Sequence, residues 1–237
     1  MGLFKFLPKQ AKDFLRRKVR APTNIYGNMH TYKKLDEYHT GKFNYFHNKF
    51  CLNDLHLKLN TELTRFRNYN NLKFAEYSIR QNTIGSFLSV GISYGTSVKV
   101  ITHLLDEKVE NIEYFLIDDY KNVGGVNYNT DIDNVKKDLK DIKNFKFSFV
   151  EELLCNSSLS KVNNSLIFSH LNTGSFEAEF EFLPQIIKKT KINGVIIVDN
   201  YGFWGPKEIN IFDSYVLKNK NLFKMVLPSM QCVLIKL

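Results

Sequence analysis

The chain has 237 residues, 43% of them hydrophobic, and a net charge of +9 at pH 7. That supplies a core for one large domain, yet no run of about 18 apolar residues that could cross a membrane, and no apolar leader ahead of a small-residue cleavage site. Without span or leader the cytoplasm is the expected compartment, and Cys51, Cys155 and Cys232 lie far apart without CxxC or Cys/His ligand spacing, which argues against a disulfide framework and structural zinc.

The charge is local. Residues 1 to 20 hold Lys5, Lys9, Lys12, Arg16, Arg17, Lys18 and Arg20 against Asp13, which leaves +3 for the rest of the chain. Leu3, Phe4, Leu7, Phe14 and Leu15 are interleaved with these charges. The segment reads either as an amphipathic stretch on an anionic membrane surface, interrupted by Pro8, or as a basic tail whose apolar residues pack on the domain. Gly2 suits N-acylation, but Phe6 stands where that signal needs Ser or Thr. Residues 22 to 60 mix Tyr, Phe, His and Asn, the composition of an aromatic cap with wet polar tips. His30, His39, His47 and His56 recur every eight or nine residues with no carboxylate cluster, which matches no metal-ligand pattern. The economical division is an extension over residues 1–60 and a domain over 61–237.

From residue 61 the pattern is regular. "TELTRFRNYNNLKFAEYSIRQN" places Leu63, Phe66, Leu72, Phe74, Ala75 and Ile79 near helical spacing. Seven short apolar runs follow: "SFLSV", "IEYFLI", "FKFSFV", "SLIFSHL", "GVIIVDN", "LFKMV" and "CVLIKL". Helical stretches such as "TSVKVITHLLDE" and "FEAEFEFLPQIIKK" alternate with them, which predicts an α/β fold with a mostly parallel, doubly wound sheet. Only "LPSMQ" separates the last two runs, too short for a crossover, so an antiparallel hairpin is expected there.

In such sheets ligands bind beyond the carboxyl ends of the strands. After "SFLSV" comes "GISYGTS": Gly91 and Gly95 permit a tight turn and close approach, and Thr96 and Ser97 open a helix with free N–H groups. Asp118 and Asp119 end the next strand and suit the two hydroxyls of a ribose. Ser93 replaces the second glycine of a dinucleotide fingerprint and no GK[ST] ending is present, so both phosphate-cradle readings weaken.

The glycine loop, the strand-end acid and the terminal hairpin together resemble a class I S-adenosylmethionine-dependent methyltransferase. "HLNTGSFEAEFEFLPQIIKKTKINGVIIVDNYGFWG" resembles the block LDGDxYES, helix, GGxxxxDDYG of the macrocin O-methyltransferase-like family. "RNYNNLKFAEYSI" and "SMQCVLIKL" are similar to that family's helix before the first strand and its last strand, so the resemblance covers roughly residues 60–237. It implies a Rossmann-like seven-stranded sheet and S-adenosylmethionine as cofactor, with Gly91, Ser93, Tyr94, Gly95, Thr96 and Ser97 under the methionine part and Asp118 or Asp119 on the ribose. It also implies an acceptor hydroxyl on a small molecule or glycan, as in secondary metabolite or surface polysaccharide biosynthesis.

The chain departs from the family at its acids. LDGD and DDY become Asn172, Gly174, Asp199, Asn200 and Tyr201. The family's acids hold magnesium, and with Asp199 alone remaining no metal is expected. A general base then has to come from His170 or Asp199, each of which also suits a structural role. Asn172, Tyr201 and Trp204 are candidate acceptor contacts, and Arg67 and Lys207 candidate partners for an acceptor phosphate. Two further readings stay open. One is a degenerate methyltransferase fold serving as a binding or regulatory protein. The other is a nucleic-acid methyltransferase clamped by the basic tail, although "HLNT" stands where such amino-methylating enzymes carry (N/D)PP(Y/F), so no nucleic acid is expected. Homo-oligomerisation is open too.

Overall fold

The computed structural model describes residues 41–51, 61–119 and 132–237. The basic segment, with its membrane-surface and phosphate-clamp readings, lies outside these, as do His30, His39 and His56. The chain divides into two compact units, Met1–Asn44 and Tyr45–Leu237. In the second unit Phe46 and Phe50, on helix α1 (Lys42–Cys51), lie 5.0 and 4.9 Å from the His103 ring. No helix of the described residues is long and apolar enough to cross a membrane.

The second unit is a seven-stranded sheet of order β3-β2-β1-β4-β5-β7-β6. In chain order it runs α2 (Thr61–Gln81), β1 (Ser86–Val90), α3 (Thr96–Leu105), β2 (Ile112–Ile117), α4 (Ile132–Leu139), β3 (Phe145–Val150), α5 (Asn156–Ser160) and β4 (Leu166–Leu171). It continues with α6 (Phe176–Lys189), β5 (Thr190–Val198), α7 (Pro206–Lys218), β6 (Leu222–Val226) and β7 (Cys232–Lys236). β1 and β4 are buried at every position, as continuous apolar runs must be when both faces of a parallel sheet are covered. Ser89 is tolerated inside β1 because its hydroxyl bonds that of Tyr114 at 2.8 Å. β7 runs antiparallel to both β5 and β6, so the expected hairpin is present. Two details were not expected from the sequence: the single turn of α5, and a β5 that begins at Thr190, ahead of "GVIIVDN".

Strand order reverses between β1 and β4, which opens a crevice at their carboxyl ends. Backbone bonds fix the strand tips there in series: Asp118 N–H donates to Val150, Asn172 N–H to Val90 and Asp199 N–H to Leu171. α2 packs against α3, β4 and β5 and walls this crevice.

Candidate active site

A cavity of about 470 Å³ lies at the switch point, lined by α2, the β1–α3 loop, the tips of β2, β4 and β5, and the segments that follow them. Its first wall is backbone. Gly91 and Gly95 have φ of 72° and 73°, and Ser93 between them has 52°, a left-handed conformation that a non-glycine residue adopts at a cost. The loop holds that shape because Asp118 latches it: one carboxylate oxygen accepts the amides of Ile92 and Ser93, the latter at 2.8 Å. Gly91 is required for a second reason, since a Cβ there would meet the Asn172 carbonyl oxygen at 2.1 Å. Asp119, half-buried, lines the cavity beside Asp118.

The opposite wall is made of side chains centred on Asp199. Its Oδ2 accepts from Arg67 Nη1 at 2.8 Å and its Oδ1 from Gln231 Nε2 at 2.6 Å. His170 Nε2 lies 3.2 Å from the same Oδ1. Burial works to raise the Asp199 pKa, but the Arg67 charge and then the bonds from His170 and Gln231 outweigh it and hold the carboxyl at about 2. Asp199 is therefore anionic at any working pH and a weak proton acceptor.

The hydrogen-bond network assigns the proton on His170. A carboxylate only accepts, so Gln231 must turn its amide nitrogen toward Asp199 and its oxygen toward Asn70 and Ser229. The same nitrogen donates to Asn71 Oδ1 at 2.9 Å, which aims Asn71 Nδ2 at Ser97 Oγ (3.1 Å) and His170 Nε2 (3.2 Å). Nε2 thus sits between a neutral donor and a carboxylate. The charge-assisted bond is the stronger, so Nε2 carries a proton toward Asp199, and Nδ1 is hydrogen-bonded by no described residue.

No family model matches the chain, and no curated protein does. Solved structures do. The O-methyltransferase NovP aligns with a TM-score of 0.56 and 15% identity over 72% of this chain and 79% of its own. CalS11, a TDP-rhamnose 3'-O-methyltransferase of calicheamicin biosynthesis, gives 0.54 and 14% over 79% and 86%. SAH-bound PaMTH1, a methyltransferase of Podospora anserina, gives 0.57 and 11% over 92% and 97%. This chain has the class I methyltransferase fold.

Within the methyltransferase fold, Gly91, Ser93, Thr96, Ser97, Asp118, Asp119, His170, Asn172 and Asp199 all line one cavity. Tyr94 and Gly95 are not in its lining. Gly95 instead caps α3, and its missing Cβ would sit 3.0 Å from Val135. Tyr201 and Trp204 also depart from the expected acceptor contacts. Tyr201 donates its hydroxyl to Asp213, and Trp204 is packed edge-on against Phe176, Tyr201 and Phe212. The burial of both rings in the core moves the aromatic contact at the cavity to Phe203, which is 57% exposed and lies over the Arg67 guanidinium at 4.9 Å. Arg67 itself is bound to Asp199, not held open for a phosphate.

The residues at the edited acids do not fit a divalent cation. Asn200 Nδ2 donates to Asn172 Oδ1 at 2.7 Å, which occupies that oxygen, Gly174 has no side chain, and Asp199 is ion-paired. Among the described residues no group of three or more His, Cys, Asp or Glu gathers to hold a metal. Asn71 and Gln231 were not singled out from the sequence, nor was Glu179, which anchors Thr173 on the cavity wall by accepting its amide at 2.8 Å. One signal was available: "RNYNN" puts three asparagines inside α2, and Asn68, Asn70 and Asn71 are all buried. Asparagine is disfavoured in helix interiors unless its side chain has work elsewhere.

Proposed function

We propose that the protein is an S-adenosylmethionine-dependent methyltransferase that modifies a hydroxyl of a small molecule or sugar without using a divalent metal. The observation that carries this reading is the meeting, in one cavity, of the latched glycine loop with the His170–Asp199 pair. The cofactor side fits: the wall offers the close approach of backbone at Gly91, Thr96 and Ser97 at the start of α3, and Asp119 beside the latch for ribose hydroxyls. Asp118 has the bracing role, since one of its oxygens already takes two amides.

When bound, S-adenosylmethionine supplies an activated methyl group on a sulfonium, and the electrons of the broken C–S bond remain on sulfur. The chain's own residues do the rest. His170 Nδ1 takes the acceptor's hydroxyl proton as the oxygen gains its methyl group, and Asp199 stabilises the imidazolium through Nε2–H. Asn172 and Phe203 orient the acceptor at the mouth of the cavity. A sugar-bearing acceptor in secondary metabolite or surface polysaccharide biosynthesis is the proposed setting, supported by likeness to NovP and to CalS11, whose name gives a sugar substrate.

Calorimetry with S-adenosylmethionine tests the cofactor, with a Kd of about 10 μM expected; no binding to the full chain would sink the whole reading. A panel of phenols and glycosides, assayed before and after dialysis against EDTA, tests the chemistry. Turnover unchanged by EDTA is expected, and a complete loss restored by magnesium would overturn the metal-free mechanism.

A further inference from the structure

The chemistry above gives no task to Arg67, the one Lys or Arg among the described residues lining the cavity. It comes from α2, the element that the fold lays across the strand tips, and its guanidinium is used on three sides. Nη1 donates to Asp199 Oδ2 and Nη2 to the Asp199 carbonyl, both at 2.8 Å, while Nε donates to the Ser229 carbonyl at 3.1 Å. The Phe203 ring covers it from the solvent side. Such a fork fixes direction as well as charge, which a lysine cannot do.

Asp199, 4% exposed, could not remain ionised without a compensating cation, because an unpaired buried carboxylate costs several kcal/mol. A divalent ion would need that same carboxylate and would find both its oxygens bonded, to Arg67 on one side and to His170 and Gln231 on the other, while the nearby Asn172 Oδ1 already accepts from Asn200. We infer that Arg67 is the resident cation of this site: it occupies, as part of the chain, the position at Asp199 that a metal would otherwise claim. By locking the carboxylate it holds the His170 ring in its proton-accepting orientation. Arg67 is thus a positioning residue, acting through Asp199. The second half of the inference rests on the proposed role of His170; the first does not.

The test uses the full chain and Arg67→Ala. Removing the side chain opens a cation-sized space against a buried carboxylate. Calorimetry with MnCl2 should show no binding to the wild type and a new but weak site in the variant, with a Kd of about 10 mM because Asp199 is its one carboxylate. Guanidinium chloride at low millimolar concentration should compete with that manganese. Turnover of the best acceptor should fall about 100-fold in Arg67→Ala with the S-adenosylmethionine Kd within about threefold, and Arg67→Lys should recover about tenfold of the loss. Should Arg67→Ala fail to fold, Arg67→Lys carries the kinetic test alone, with kcat reduced about tenfold and cofactor affinity retained. Manganese binding to the wild type at Asp199, abolished by Asp199→Asn, would overturn the inference. So would loss of cofactor affinity in step with kcat, the mark of a merely structural role. The manganese readout needs neither cofactor nor acceptor, so failure of the methyltransferase reading and failure of this one remain distinguishable.

Discussion

At one end of the cavity, backbone amides of the β1–α3 loop converge on Asp118; at the other, side chains from α2, β4 and the β6–β7 hairpin converge on Asp199. The two ends use a buried acid in opposite ways. Asp118 shapes a loop that a ligand then touches through its backbone, so the wall depends on local conformation. Asp199 instead gathers groups that are remote in sequence, and its wall depends on the whole fold having closed around it. Damage at the first end should therefore appear in cofactor affinity, and damage at the second in turnover.

His170→Ala should separate the ends most sharply. We expect kcat about 1,000-fold lower with the S-adenosylmethionine Kd nearly unchanged, measured by steady-state kinetics and calorimetry; a matching loss of cofactor affinity would erase the distinction. Asp118→Ala should do the reverse. Releasing the amides of Ile92 and Ser93 from a carboxylate should weaken cofactor binding about 100-fold by calorimetry, while kcat at saturating cofactor stays within about threefold. At the cavity mouth, Phe203→Ala should raise the acceptor KM about tenfold, whereas Trp204→Phe should leave it unchanged because that ring faces the core.

The smallest effect concerns Glu179, beneath the second wall. Burial raises its pKa to about 8 against the bonds from Thr173 that favour ionisation. In the unfolded chain the carboxyl ionises near 4.5, so between about pH 4.5 and 8 folding retains a proton that the unfolded state releases, and stability falls as pH rises through that window. Glu179→Gln keeps an acceptor for the Thr173 amide but has no proton to lose. Its melting temperature should therefore drop a few degrees less than that of the wild type between pH 5 and pH 8. Parallel curves for the two proteins would show that Glu179 is already ionised in the fold.

The position of the first wall was legible in the sequence because its determinants are short-range, although Asp118, read there as a ribose contact, is the latch of the loop. Gly91 and Gly95 follow an apolar run, and Asp118 ends the next one. The strand positions of His170 and Asp199 were legible for the same reason. What they bond was not: Arg67 and Asp199 are 132 residues apart, and Asn71 and Gln231 are 160 apart. No periodicity pairs such positions; only a closed sheet with α2 laid across its strand tips does. Trp204 and Phe203 illustrate a second limit. Neighbouring aromatics in "NYGFWG" look equivalent as letters, yet the turn formed by Tyr201–Phe203 sends Trp204 into the core and leaves Phe203 at the surface.

The close approach of Gly91 to the Asn172 carbonyl bears on how this protein could diverge. Any side chain at position 91 would collide with backbone, so the floor beneath the cavity is closed to variation, and the groups around Asp199 are tied to one another. Leu63, Thr64, Leu153 and Phe203 lie on the cavity wall outside both constraints. Changes of acceptor among descendants of this chain should therefore accumulate at those four positions, on α2 and on the segments after β3 and β5, while the opposite wall stays as it is.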